Sequence, residues 1–253
     1  MSRLACISAA ACLLFFSGIP FGTRRELALS ESQQQVAAAA VPLPFVGCKS
    51  DGQSDMLDAP NKPTSEARLS PSVAARLALY QAEFGPAVIG PRGWSCFGKY
   101  GSSGASLYVT PAPLADDEWK GIAGAGIEAS VSDGGTSGRF TVAEIAARMF
   151  PSQRAFVQKV LEENIVTGLK VPADPFPADH LTYINNLIVE YETPSRSTGL
   201  GTTRLLRSNV DSIRGVEIFD PTGEVSLWHL GLRLPKNMQE LEPVVIKRFE
   251  ETH

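Results

Sequence analysis

The chain has 253 residues, 43% of them hydrophobic and 20% charged, which suits one large globular domain or two small ones. Its formal net charge is −4 and its pI is near 5.5. It contains no long Lys/Arg block, and this argues against nucleic acid as a partner, because phosphate binding needs clustered positive charge.

The N-terminus has the layout of a secretory signal: Arg3, then an apolar run from Leu4 to Phe21. Arg24 and Arg25 follow, then a polar stretch and an Ala-rich one in which Ala38 and Ala40 suit a signal peptidase. Residues 1–40 are therefore expected to be signal peptide and linker, with a cut near Gly22 as an alternative. Uncleaved, the run is at the lower length limit of a membrane span, and only then would the chain be membrane-attached. Cleavage removes Cys6 and Cys12 and leaves Cys48 and Cys96, an even pair that reads as a disulfide in an oxidising compartment. Closing a loop of about 50 residues is worth roughly 4 kcal/mol in the chain-entropy model. His180, His229 and His253 show no ligand spacing with these cysteines, so no metal and no cofactor is expected.

Residues 41–69 are punctuated by Gly, Pro and Asp and predict irregular structure pinned by Cys48. A helix is predicted from Ser70 and Pro71 to Gly85, with Val73, Leu77, Tyr80 and Phe84 on one face. Strands follow at 87–89, 94–99 and 105–110, the last two joined by the hairpin-type connection Gly101-Ser102-Ser103-Gly104. Ile127, Ala129 and Val131 alternate with Glu128 and Ser130, as in a half-buried strand. Thr141 and Glu144 form a capping-box pattern opening a helix, and a second helix is predicted through Phe156, Val160 and Ile165 to Gly168. VPADPFPADH is a proline-rich connection. A strand is expected at 186–192, a hairpin at 214–219 and 224–234 around Asp220-Pro-Thr-Gly223, and a closing helix at 238–251. The sum is an α+β domain over 41–253, with a mostly antiparallel sheet, several packed helices and one disulfide.

Catalytic patterns are sparse. Gly101–Gly104 is one residue short of a hydrolase nucleophile elbow, so Ser102 and Ser103 read as a polar tight turn. Cys96 as a thiolate competes with its pairing to Cys48. Gly124–Ala129 matches a loose dinucleotide loop but reads as strand. Asp51, Asp55 and Asp58 lack the closing Glu of a calcium loop, and Asp116, Asp117 and Glu118 read as a solvated loop. His229, beside Trp228, reads as a structural histidine. Two stretches suit binding. Arg92, Trp94 and Tyr100 are either core anchors or one wall of a site. Arg196 and Arg204 lie in a Gly- and hydroxyl-rich loop, 193–208, whose donors suit a carboxylate or phosphate.

The blocks FVGCKSDGQ, PRGWSCFGKYGSSGASLYVTP, ETPSRSTGLGT and GLRLP together resemble a group of bacterial secreted proteins of uncharacterised function, from about Phe45 to Pro235. The resemblance implies export and that the Cys48 and Cys96 blocks travel together. It carries no activity. Lys99 departs from a purely buried role for its turn. The expectation is a periplasmic or secreted binding or structural module, acting on a cell-envelope component or a small ligand, without catalysis. The alternative is an extracytoplasmic hydrolase using Ser102, Ser103 or Cys96 with His180 or His229.

Overall fold

A computed structural model describes residues 39–115, 120–163 and 176–253. The signal segment with Cys6 and Cys12, the Asp116–Glu118 cluster, the expected helix end at Ile165–Gly168 and the first half of VPADPFPADH lie outside the described residues.

The Pro- and Gly-rich stretch after residue 40 gives only short strands: β1 (Val41–Pro42), β2 (Phe45–Gly47), β3 (Ser50–Asp51), β4 (Met56–Leu57) and β5 (Arg68–Leu69). The helix predicted to reach Gly85 is cut to one turn, α1 (Pro71–Ala74), and Leu77–Gln81 is a strand, β6. All five residues of β6 are buried, because β2 pairs with it on one side, in parallel, and β7 (Val88–Pro91) on the other. A short run buried on both faces shows no strand alternation, so its apolar spacing mimics a helix. Pairing decides in favour of the strand.

β8 (Ser95–Gly101) and β9 (Gly104–Thr110) form the expected hairpin across Ser102-Ser103, with Gly104 at φ 135, a conformation L side chains rarely adopt. β10 (Gly126–Asp133) follows. Helix α2 (Arg139–Met149) starts ahead of Thr141 on Gly138 and uses no side-chain cap, so the capping-box expectation is not met. A 3-10 turn at Pro151–Gln153 leads into α3 (Arg154–Glu163). Strands β11 (His180–Tyr183, not foreseen), β12 (Ile188–Thr193), β13 (Ile213–Asp220) and β14 (Ser226–Arg233) complete the sheet. A 3-10 segment, Lys236–Leu241, runs into α4 (Glu242–Thr252), where Pro243 occupies the first turn and costs no hydrogen bond.

The described residues thus form an α+β fold with four α-helices around a nine-stranded sheet, ordered β11-β12-β13-β14-β10-β9-β8-β3-β4. It is antiparallel except for the β3–β8 pair. One face packs on the small β2-β6-β7 sheet and α4, through Leu107, Ile127, Leu230, Val245 and Phe249. The other packs under α2 and α3, through Val142, Met149, Val189 and Phe219. Because both faces are covered, Glu128 and Ser130 are buried, which corrects the half-buried reading of β10. The expected Cys48–Cys96 disulfide is present and joins the β2–β3 crossing to β8. No helix among the described residues is long and apolar enough to cross a membrane.

At the end of α4, His253 stacks on Trp228 (4.1 Å) and lies tilted against Phe249 (4.6 Å). Burial depresses its imidazole to about 4. A depressed base stabilises the fold fully above its unfolded value near 6.5, and that contribution is lost as pH falls towards 4. Glu242 and Glu250 are raised by burial and act in the opposite sense, so a comparison of variants isolates the histidine. Between pH 6.5 and 4.5, His253→Phe is expected to lose about 1–2 kcal/mol less stability than the parent, read by urea denaturation at each pH. Parallel pH profiles would show that the imidazole is not held neutral.

Candidate functional site

Strand register assigns the β8 side chains to the two faces of the sheet, and Trp94 stands just before the strand. Successive β8 side chains alternate, so Ser95, Phe97 and Lys99 face the α2 side of the sheet, and Cys96 and Tyr100 the α4 side. Trp94, Phe97 and Tyr108 line a cleft of about 720 Å³ with Met56 and Leu114, and Lys49 and Asp51 border it. Trp94 is fixed at its backbone, where its N–H donates to the Tyr80 hydroxyl (3.1 Å), which itself donates to the Pro91 carbonyl (2.6 Å). The disulfide also borders the cleft, through Cys96. Arg92 faces a different hollow, beside Leu43, Pro44 and Pro71. Tyr100 is on the far face, stacked on Phe84 with ring centroids 4.5 Å apart. The structure therefore does not bring Arg92, Trp94 and Tyr100 into one site.

The serines of the turn have a plain structural role. Ser103 and Ser102 approach the Ser137 hydroxyl at 2.9 and 3.4 Å, tying the hairpin to the start of α2. Neither hydroxyl hydrogen-bonds a histidine among the described residues. His180 is exposed on the edge strand β11, and Cys96 is bonded to Cys48, which removes it as a thiolate nucleophile.

The loop after β12 was expected to offer donors to a ligand anion. Several of its donors are taken by the chain itself, four of them by carboxylates. Asp179 accepts from the Leu200 N–H and the Thr193 hydroxyl, both at 2.7 Å, and the Gly201 N–H donates to Thr193 Oγ1 (2.9 Å). Burial raises the Asp179 carboxyl, and these bonds oppose the shift. Glu128 accepts from the Leu205 and Leu206 N–H groups at 2.8 and 3.3 Å. Arg196 sits at φ 60, with its N–H donating to the Asn209 carbonyl (2.6 Å). Arg204 carries positive charge towards Tyr108 and Tyr191. Neither arginine lines the cleft.

Behind Tyr108 lies a polar row that sequence reasoning missed, buried at Ser130, His229 and Glu217. Lys99, Ser106, Ser130, His229 and Glu217 align across five strands, and Phe97, Tyr108, Glu128, Gly231, Gly215 and Tyr191 form the neighbouring row. His229 Nδ1 and Glu217 Oε1 are 2.5 Å apart, with both residues about 1% exposed or less. Gly215 and Gly231 leave room for the Tyr191 ring, which reaches across two strands to donate to the Leu230 carbonyl (3.1 Å); a Cβ at Gly215 would fall 2.6 Å from its hydroxyl. Burial and the Glu217 and Glu128 carboxylates hold the Tyr191 phenol well above its usual value. Burial and Glu128 push Tyr108 up to about 12. Ser130 lies beside His229, yet its hydroxyl makes no hydrogen bond among the described residues. The residues of a Ser–His–Glu set are thus present, but closed off from any substrate and not joined at the serine. The period-two pattern of β10 was the available signal for this row; a second covering layer was not visible in it.

Among the described residues no group of three or more His, Cys, Asp or Glu is placed to hold a metal ion. The chain matches no family model, no curated protein sequence and no solved structure.

Proposed function

We propose that the chain is an exported, disulfide-braced binding domain that takes a small amphipathic ligand into the cleft over β8 and β9, without catalysis. The observation that carries this reading is the cleft itself. About 720 Å³ is within the usual range for small-molecule sites, its walls are aromatic and apolar, and its charged groups are few. Trp94, the kind of residue that anchors ligands, is held there by the Tyr80 hydroxyl. Lys49 and Lys99 against Asp51 favour a ligand with an acidic end. A periplasmic or secreted location is supported by the disulfide, by the N-terminal pattern and by the resemblance to secreted proteins. The hydrolase alternative has lost Cys96 to the disulfide, and the His229–Glu217 pair is buried.

The probe is 8-anilinonaphthalene-1-sulfonate, an aromatic body with one anionic group. Its fluorescence is expected to rise saturably with the folded protein at pH 7. Trp94→Ala is expected to weaken binding at least fivefold, with an unchanged far-UV spectrum and a sharp thermal transition. No saturable binding, or equal affinity in the folded Trp94→Ala protein, would overturn the reading.

A further inference from the structure

On the opposite face of β8 the same register builds a second, chemically different groove. Tyr100, Ala105, Val131 and Trp228 are direct neighbours across β8, β9, β10 and β14. Adjacent strands are about 4.8 Å apart, so the two aromatic positions are separated by roughly 14 Å of backbone with only Ala and Val between them. Small residues between large ones leave a trough of about 310 Å³. One wall is the Phe84–Tyr100 stack, in which both rings are solvent-exposed (45% and 42%). The other wall is Trp228, backed by His253.

One step further along the strands the trough becomes acidic. Asp133 is two residues beyond Val131, so it points to the same face, and it pairs with Ser226. Glu224 reaches the same place from the β13–β14 turn. A Cβ placed on Gly135 would be 2.8 Å from a Glu224 carboxylate oxygen and 3.3 Å from Asp133 Oδ1, so these two oxygens are at most 6.1 Å apart. Asp133 Oδ1 accepts the Gly135 N–H at 2.8 Å, and Asp133 and Glu224 form no ion pair among the described residues. The trough is lined by these two acids and by no Lys or Arg. Aromatic walls at both ends and two neighbouring carboxylates, with no Lys or Arg among the lining residues, define one kind of ligand. Ring faces attract a cation that sheds water readily, and the acids supply the counter-charge.

We infer that this trough is a second binding site, for a small organic cation of the substituted-ammonium class, with the ammonium group between the aromatic walls and the acidic end. The site does not depend on the cleft over the other face of β8. It shares none of the residues that line that cleft.

Choline is the probe, with its uncharged isostere 3,3-dimethyl-1-butanol as the control, followed by chemical-shift perturbation of the oxidised protein. Choline is expected to bind saturably in the millimolar range, shifting amides around Tyr100, Val131 and Trp228, and to bind at least tenfold more tightly than the alcohol. Tyr100→Leu keeps the apolar bulk and removes the ring face, and is expected to weaken choline at least threefold. Glu224→Gln, at an exposed turn, is expected to weaken choline and leave the alcohol unchanged. Both variants should keep their affinity for anilinonaphthalene sulfonate, which separates this site from the cleft. Absence of choline shifts at these residues, equal affinity for choline and the alcohol, or unchanged choline affinity in both variants would overturn the assignment.

Discussion

Removing the disulfide, as Cys48→Ala/Cys96→Ala, is expected to lower the melting temperature by about 8–15 °C. The bridge closes a 48-residue separation, worth roughly 4 kcal/mol of chain entropy, and each kcal/mol moves the midpoint of a domain of this size by about 2–4 °C. The native state makes the effect large for a second reason. Between Cys48 and Cys96 the chain leaves the small sheet at β2, enters the large sheet at β3 and returns to the small sheet for β6. Strands β3 and β4 have two residues each and few ladder bonds of their own. Cys48 is buried, and its N–H donates to the Gln81 carbonyl (2.8 Å), so the bridge fixes the point where the two sheets meet. Cys48→Ser and Cys96→Ser should each lose about as much as the double variant. Protein recovered outside the cytoplasm should show no free thiol at either position. A loss under 3 °C, or a reduced Cys96 in exported protein, would contradict the bracing role.

Arg233→Met is expected to destabilise the fold by about 3–5 kcal/mol. Arg233 is about 2% exposed and, among the described residues, has no carboxylate at hydrogen-bonding distance. Its guanidinium instead donates to three backbone carbonyls: Gly124 (2.9 and 2.6 Å), Arg207 (2.7 Å) and Ile122 (3.1 Å). Burial lowers its pKa from the usual arginine value, and the nearby Asp211 charge opposes that shift. One side chain on β14 thereby helps hold together two loops that have no sheet of their own, the one entering β10 and the one entering β13, linked also by the Ile122–Leu206 bridge and by Arg207 and Asn209, which donate to the Lys120 and Ala123 carbonyls. Methionine fills similar space and leaves those carbonyls without a charged donor, at roughly 1–3 kcal/mol for each group stranded in the interior. Lysine should rescue little, since a point charge cannot serve three carbonyls in one plane. The urea midpoint and the protease sensitivity of residues 204–211 measure the effect. A change below 1 kcal/mol would mean that the loops stand without it.

The legibility of the chain follows its local signals. The hairpins β8–β9 and β13–β14 were readable because two- and five-residue connections flanked by or containing Gly, Ser, Asp and Pro sit between strand-length runs. The disulfide was readable from cysteine arithmetic. The strand β6 was not, because its identity comes from partners on both sides rather than from its own five residues. Loop 193–208 was readable as a set of hydrogen-bond donors, but not as one already occupied: Asp179 and Glu128 come from outside the loop, and only the fold brings them in. The candidate site was legible one residue at a time. Trp94, Phe97 and Tyr100 stood out in the sequence as aromatics, but only the fold puts Trp94 and Phe97 on one cleft and Tyr100 in a separate stack with Phe84, and Met56 and Tyr108 carried no signal beyond apolarity.

The central claim is that the disulfide-braced cleft on the α2 side of β8 is where this protein binds. Amide chemical-shift mapping of the oxidised protein, titrated with anilinonaphthalene sulfonate, tests it most directly. The predicted result is a contiguous set of shifts from Gly47 to Asp51, from Trp94 to Lys99 and at Tyr108, abolished in Trp94→Ala. Shifts scattered over both faces of the sheet, or gathered away from these residues, would contradict it.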